Sequence, residues 1–159
     1  MELKQYIIIL KETLEKKASI LQALLEATER QSQIADAGEF SLDDFMESMN
    51  QKDALLEQMD ELDEGFESVF GQIRVKLMEN KEQYRAEITK LQALIRRCTD
   101  IGVELQIKEE RNRKRLESVF ALQQKELRQV RTNSRTVSNY YKSMSGRQDM
   151  ESYFMDQKK

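Results

Sequence analysis

Histidine, proline and tryptophan are absent from this chain, cysteine occurs once and glycine five times. Without histidine the commonest general base is missing, and with it the usual zinc ligand sets. No glycine-rich stretch has phosphate-binding spacing, and no serine lies in a nucleophile-elbow motif. The carboxylates at Asp60, Glu61, Asp63 and Glu64 fall in an amphipathic pattern, the signature of a solvated helix face rather than of an acid/base pair or metal site. Composition therefore points away from an enzyme and away from any cofactor. A lone Cys98 agrees with a reducing compartment. Long apolar runs are also missing. The stretch Tyr6-Ile7-Ile8-Ile9-Leu10 is too short to span a bilayer, and charge resumes at Lys11 and Glu12. It lacks the basic start and cleavage site of a signal peptide, so the expected location is the cytoplasm, with no stable membrane insertion.

What is present is charge, at 35% of residues, and an aliphatic-rich apolar set with few aromatics. With so little turn punctuation, that composition describes long solvated helices packed along a seam. The first helix is expected over residues 3–36. Ile7, Leu10, Leu14, Leu21 and Leu24 alternate three- and four-residue steps, interrupted by Lys17 and widened by Leu25. Gly38 suits a left-handed position just past its end. Ser41 can cap the next helix, with Asp43 and Asp44 on its positive end, while Phe40 and Phe45 occupy the two positions of a hydrophobic staple.

That second helix is expected over residues 42–79. Leu42, Phe45, Met49, Leu56, Met59, Phe66, Phe70, Ile73 and Leu77 share one phase, and Lys52 and Asp63 are its polar members. Gly65 and Gly71 each lower helix propensity by about 1 kcal/mol, yet the stripe keeps its phase through both. A continuous helix is one reading, and a loop spanning the two glycines is the other. A second reversal is placed near Asn80, because an unbroken helix would be improbably long. A third helix over residues 82–131 carries Tyr84, Ile88, Leu91, Ile95, Cys98, Gly102, Leu105, Asn112, Leu116 and Val119. Cys98 there reads as a small buried side chain, and Asn112 as a register-setting amide or a wet one. The fold class is all-α: an antiparallel three-helix coiled-coil bundle over residues 1–131.

Charge divides between the halves. Residues 1–80 hold 8 basic and 18 acidic side chains, and residues 81–159 hold 18 basic and 11 acidic. An acidic second helix against a basic third one would neutralise both. The competing use of the run from Lys108 to Arg115 is a nucleic-acid groove, but Glu109 and Glu110 interrupt it and no aromatics interleave.

Residues 132–159 read differently. They are polar, with too little apolar surface to offset the entropy of ordering, and so suggest a flexible or adaptable tail. Val137, Tyr140, Tyr141, Met144, Met150, Tyr153, Phe154 and Met155 are nonetheless spaced through it, a pattern suited to folding on a partner or to loose packing on the chain's own bundle. Met49 and Met59 read as seam fillers, and Met46, beside the seam, as a surface contact.

Four features taken in order carry a family resemblance. They are the leucine-rich first helix, the segment Asn50-Gln51-Lys52-Asp53-Ala54-Leu55-Leu56, the run Glu109-Glu110-Arg111-Asn112 before Leu116, and the ending Ser152-Tyr153-Phe154-Met155-Asp156-Gln157-Lys158-Lys159. Together they resemble flagellar export chaperones of the FlgN type, and the ending is similar to that of members from Gram-positive bacteria. The resemblance implies a cytoplasmic chaperone that binds hook–filament junction proteins through its C-terminal part and delivers them to the flagellar type III export gate. It also implies a tyrosine that docks at the gate, a role open to Tyr140 or Tyr141. A self-associating structural coiled coil, with a homodimer as its simplest form, is the alternative, and a basic-helix nucleic-acid binder a more distant one.

Overall fold

The computed structural model describes residues 2–121. Three long helices make up this part of the chain: α1 (Leu3–Asp36), α2 (Leu42–Glu79) and α3 (Arg85–Ala121). Helix α2 runs antiparallel to its neighbours, which leaves α1 and α3 parallel. Two contacts fix the α1–α3 register at one offset: the Cys98 thiol lies against the Leu14 carbonyl and the Asn112 amide donates to the Thr28 carbonyl, each pair 84 residues apart. That offset is a whole number of seven-residue repeats, so the two seams stay in phase along their length.

The seam of α1 is longer than its leucines suggest. After Leu24 it continues through Thr28, Gln31 and Ala35, all buried. In α2 the buried positions Phe45, Met49, Lys52, Leu56, Met59, Asp63, Phe66, Phe70, Ile73 and Leu77 alternate four- and three-residue steps without a break. Gly65 and Gly71 sit inside that helix with open space where a Cβ would be, so the continuous reading holds. Buried α3 positions follow the same alternation from Leu91 to Leu116. The last step is four residues, and it buries Phe120 where the three-residue spacing expects Val119, which is only half-buried. The aromatic ring wins the inner position because it meets Phe40 and Phe45 there.

At the first turn, the Ser41 hydroxyl accepts from the Asp44 N–H at 3.2 Å and the Phe40 and Phe45 rings lie 6.1 Å apart, so cap and staple form as expected. Gly38 does not take the left-handed conformation expected of it, and no described residue has positive φ. Helix α1 ends instead at Ala37, which is extended at φ −61° and ψ 142°. An extended residue lets the chain leave the helix axis directly, so no left-handed residue is needed. The second reversal occupies residues 80–84, with the Tyr84 N–H donating to the Asn80 carbonyl at 3.2 Å. Helix α3 therefore begins at Arg85, and the expected end near residue 131 lies outside the described residues.

Candidate functional site: two buried polar layers and the aromatic end of the bundle

Three apolar clusters stack along the bundle. The first joins Ile7, Leu10 and Leu14 to Phe66, Phe70, Ile73, Leu77, Leu91 and Ile95. The second joins Ala18, Leu21, Leu24 and Leu25 to Leu56, Met59, Cys98 and Leu105. The third is smaller: Ala35, Phe45, Met49, Leu116 and Phe120. Met46, expected at the surface, is half-buried against this third cluster.

Between the clusters lie polar layers made by the off-pattern seam residues. Lys17 on α1 pairs with Asp63 on α2 at 3.1 Å, with about 11% of each side chain exposed. The other layer is larger and is contributed by all three helices. Lys52 from α2, 2% exposed, donates to Glu109 of α3 and to the Gln31 side-chain carbonyl at 2.9 Å. The Thr28 hydroxyl also donates to Glu109, at 2.8 Å. Gln31 in turn donates to the Ser48 hydroxyl at 3.0 Å, and Ser48 to the Phe45 carbonyl at 2.6 Å. Asn112 is buried as part of the same layer, which settles it as a seam amide. A buried charge without partners would cost several kcal/mol, so Lys52, Glu109 and their polar neighbours exist in the core only as a set.

Burial pushes the Lys52 ammonium down to about 7, against the pull of the adjacent Asp53 carboxylate, which favours the charged form. Burial also raises the Asp53 carboxyl; Lys52 opposes that rise and Glu57 adds to it.

The layer was only partly legible. Lys52 and Asn112 stand out as polar seam members, but Glu109 reads as an interruption of a basic run. Four-residue spacing from Leu105 is the signal that identifies it as a seam position. Thr28 and Gln31 could be found by extending the α1 alternation past Leu24.

The basic residues of α3 are neutralised differently from expectation. Lys108 pairs with Glu29 at 3.1 Å and Arg115 with Asp36 at 2.6 Å, both acids being on α1. Arg113 pairs within its own helix, with Glu110 at 2.6 Å and Glu117 at 2.8 Å. The ion pair of Lys52 with Glu109, between α2 and α3, runs in the opposite sense, with lysine on the acidic helix and glutamate on the basic one. Helix α1 lies alongside both others and its acids are nearest, so it carries the compensation assigned to α2. Three of the five basic side chains from Lys108 to Arg115 thus already face an acid, which weakens the run as a phosphate-binding track.

The tail residues singled out as partner contacts, from Val137 to Met155, lie outside the described residues. What the structure does place is the last described turn of α3, which precedes them in the chain. The constant offset sets Phe120 level with Asp36, and Phe120 packs against Phe40 and Phe45 at 5.4 and 5.5 Å. The chain thus passes beyond Ala121 at the end of the bundle where α1 stops and α2 starts.

Among the described residues no group of acids or cysteine could hold a metal ion, and no helix is long and apolar enough to cross a membrane. The exposed large aliphatics, Ile8, Val75, Val103 and Ile107, are dispersed over all three helices. Such scatter is ordinary for a folded surface. No curated protein and no solved structure matches the chain. A model of the FlgN protein family, however, matches residues 1–147, taking in all three helices and part of the tail. The chain therefore belongs to the FlgN family, a family of flagellar export chaperones.

Proposed function

We propose that the chain acts in the cytoplasm as a chaperone for hook–filament junction proteins, holding their amphipathic helical segments apart until export and delivering them to the flagellar export gate. The observation that carries this reading is the family match over residues 1–147. The described bundle agrees with it: three long helices whose seam is filled from within, with the chain continuing past an aromatic end.

Client contact is assigned to the tail residues Val137, Tyr140, Tyr141, Met144, Met150, Tyr153, Phe154 and Met155. The family match includes the first four and stops short of the last four. An apolar client helix laid against these side chains gains the burial that the tail cannot find alone. Aromatic and methionine contacts adapt to more than one client face, and ordering the tail on binding keeps the affinity moderate, which release at the gate requires. Docking at the gate is assigned to the pair Tyr140 and Tyr141.

The test uses purified hook–filament junction proteins mixed with the full chain or with a chain ending at Arg131, followed by size-exclusion chromatography and light scattering. The expected result is a complex with the full chain and none, or a much weaker one, with the shortened chain. Equal complexes with both would remove the tail from the mechanism, and no complex with either would end the chaperone reading. The same measurement on the chain alone distinguishes one protomer from a homodimer. Tyr140→Ala with Tyr141→Ala is expected to weaken export while leaving helicity by circular dichroism unchanged.

A further inference from the structure

The larger polar layer lies between the second and third apolar clusters and takes residues from every helix: Thr28 and Gln31, Ser48 and Lys52, Glu109 and Asn112. Beyond it stand the last turn of α1, the turn to α2, the first turns of α2, and α3 from Arg113 onward. Among the described residues this distal part has five buried apolar side chains, against nine in the first cluster and eight in the second. We propose that the distal end opens as one cooperative unit along this layer, and that the opened end is the surface that admits a client's amphipathic helix.

The argument turns on where a helical bundle is cheapest to part. Separating the helices within an apolar cluster wets aliphatic surface. Separation at the polar layer wets instead an ammonium, a carboxylate, two amides and two hydroxyls, the groups that water solvates best. Lys52 and Glu109 regain the hydration that burial took from them, which offsets much of the lost mutual attraction. The other charged layer, in which Lys17 of α1 pairs with Asp63 of α2, lies between the two larger clusters. An opening that stopped there would have to release the third cluster and the second as well. The distal boundary is therefore the first one reached from that end.

Opening would uncover Phe40, Phe45, Met49, Leu116 and Phe120, an apolar aromatic surface at the point where the chain continues toward its tail. The tail residues to which client contact is assigned follow in the chain from this end. This second clause rests on the chaperone reading, whereas the opening itself does not.

Hydrogen exchange on the full chain without client tests the opening. Amides of Ala35, Phe45, Glu47, Leu116 and Phe120 are expected to share one protection level, at least about tenfold below those of Leu21, Leu56 and Leu105, with the step at the polar layer. Protection that declines smoothly toward the end, without a common level, would overturn the proposal. Two variants sharpen it. Leu116→Ala should speed exchange at Ala35 and Phe45, on the other two helices, by the same factor as in α3, and leave Leu21 unchanged; acceleration confined to α3 would also overturn it. Lys52→Met with Glu109→Leu, which joins the two clusters through apolar contacts, should slow distal exchange by about tenfold or more. An unchanged distal rate in a folded double variant contradicts the assigned boundary. Added junction protein should then raise distal protection. If it binds without doing so, the surface is wrong but the chaperone reading stands; if it does not bind, the function is wrong while the exchange step is untouched.

Discussion

The two ends of the bundle are built on different terms. At the end holding Ile7, Leu10, Phe70, Ile73, Leu77 and Leu91, all three helices contribute apolar side chains to one large cluster, with Gln92 buried beside it, and stability there grows with buried area. Toward the other end, the seam is interrupted by Lys52, Glu109, Gln31 and Thr28 before a short aromatic cluster closes it. Apolar layers tolerate sliding, because one leucine contact resembles the next. A lysine opposite a glutamate does not, since any other register leaves both charges buried and alone. One end thus supplies cohesion and the other supplies alignment. The teaching is that the weaker-looking end carries the more specific information.

The largest effect should come from breaking the aligned end. Glu109→Ala leaves the Lys52 ammonium in the core without its carboxylate, and is expected to destabilise the fold by about 3–5 kcal/mol in urea unfolding. Leu91→Ala at the cohesive end, where the side chain is fully buried, should cost about 2–5 kcal/mol through lost burial and a cavity. The contrast lies in rescue. Lys52→Met restores much of the loss in the Glu109→Leu background, whereas no single substitution on another helix repairs Leu91→Ala.

A third experiment follows the lysine proton. In the unfolded chain Lys52 holds its proton up to its ordinary value of 10.5, and in the folded chain burial lowers it to about 7. Between those values the unfolded state binds more protons, so this residue's contribution makes stability rise with pH from 7 to 10.5 and stay flat below 7. Replacing the pair by Met and Leu should remove that rise relative to the unsubstituted chain; parallel stability–pH curves for both proteins would show that the lysine is not held as described. The smallest effect is expected away from either layer. Gly65→Ala, on an exposed position of α2 with nothing within 4 Å of the new methyl group, should stabilise by about 0.5–1 kcal/mol in thermal unfolding.

Much of this molecule can be read from spacing alone. The α2 seam, including Lys52 and Asp63, and the Ser41 cap with its Phe40–Phe45 staple follow from residue type and interval, because a helix puts every third and fourth residue on one face. Glu109 resisted the same reading since it lies among charges, and a carboxylate in a basic run looks like a solvated one until its four-residue step from Leu105 is counted. Gly38 shows the reverse case. Its composition suggested a left-handed end, but an extended Ala37 made one unnecessary. Val119 and Phe120 are adjacent, and only the rings waiting at Phe40 and Phe45 choose between them.

The sequence by itself determined the helices, their approximate limits over residues 3–79, the polar members of the α2 seam, and the family resemblance that the match over residues 1–147 bears out. Only the tertiary structure decided which charge meets which. It set Lys52 against Glu109 rather than leaving the acidic helix to neutralise the basic one, and it gave Lys108 and Arg115 to acids of α1. The physical reason is that periodicity specifies a face, whereas partnership depends on the register and lateral order of whole helices. Those are settled by the joint requirement that apolar layers be filled and buried charges be paired.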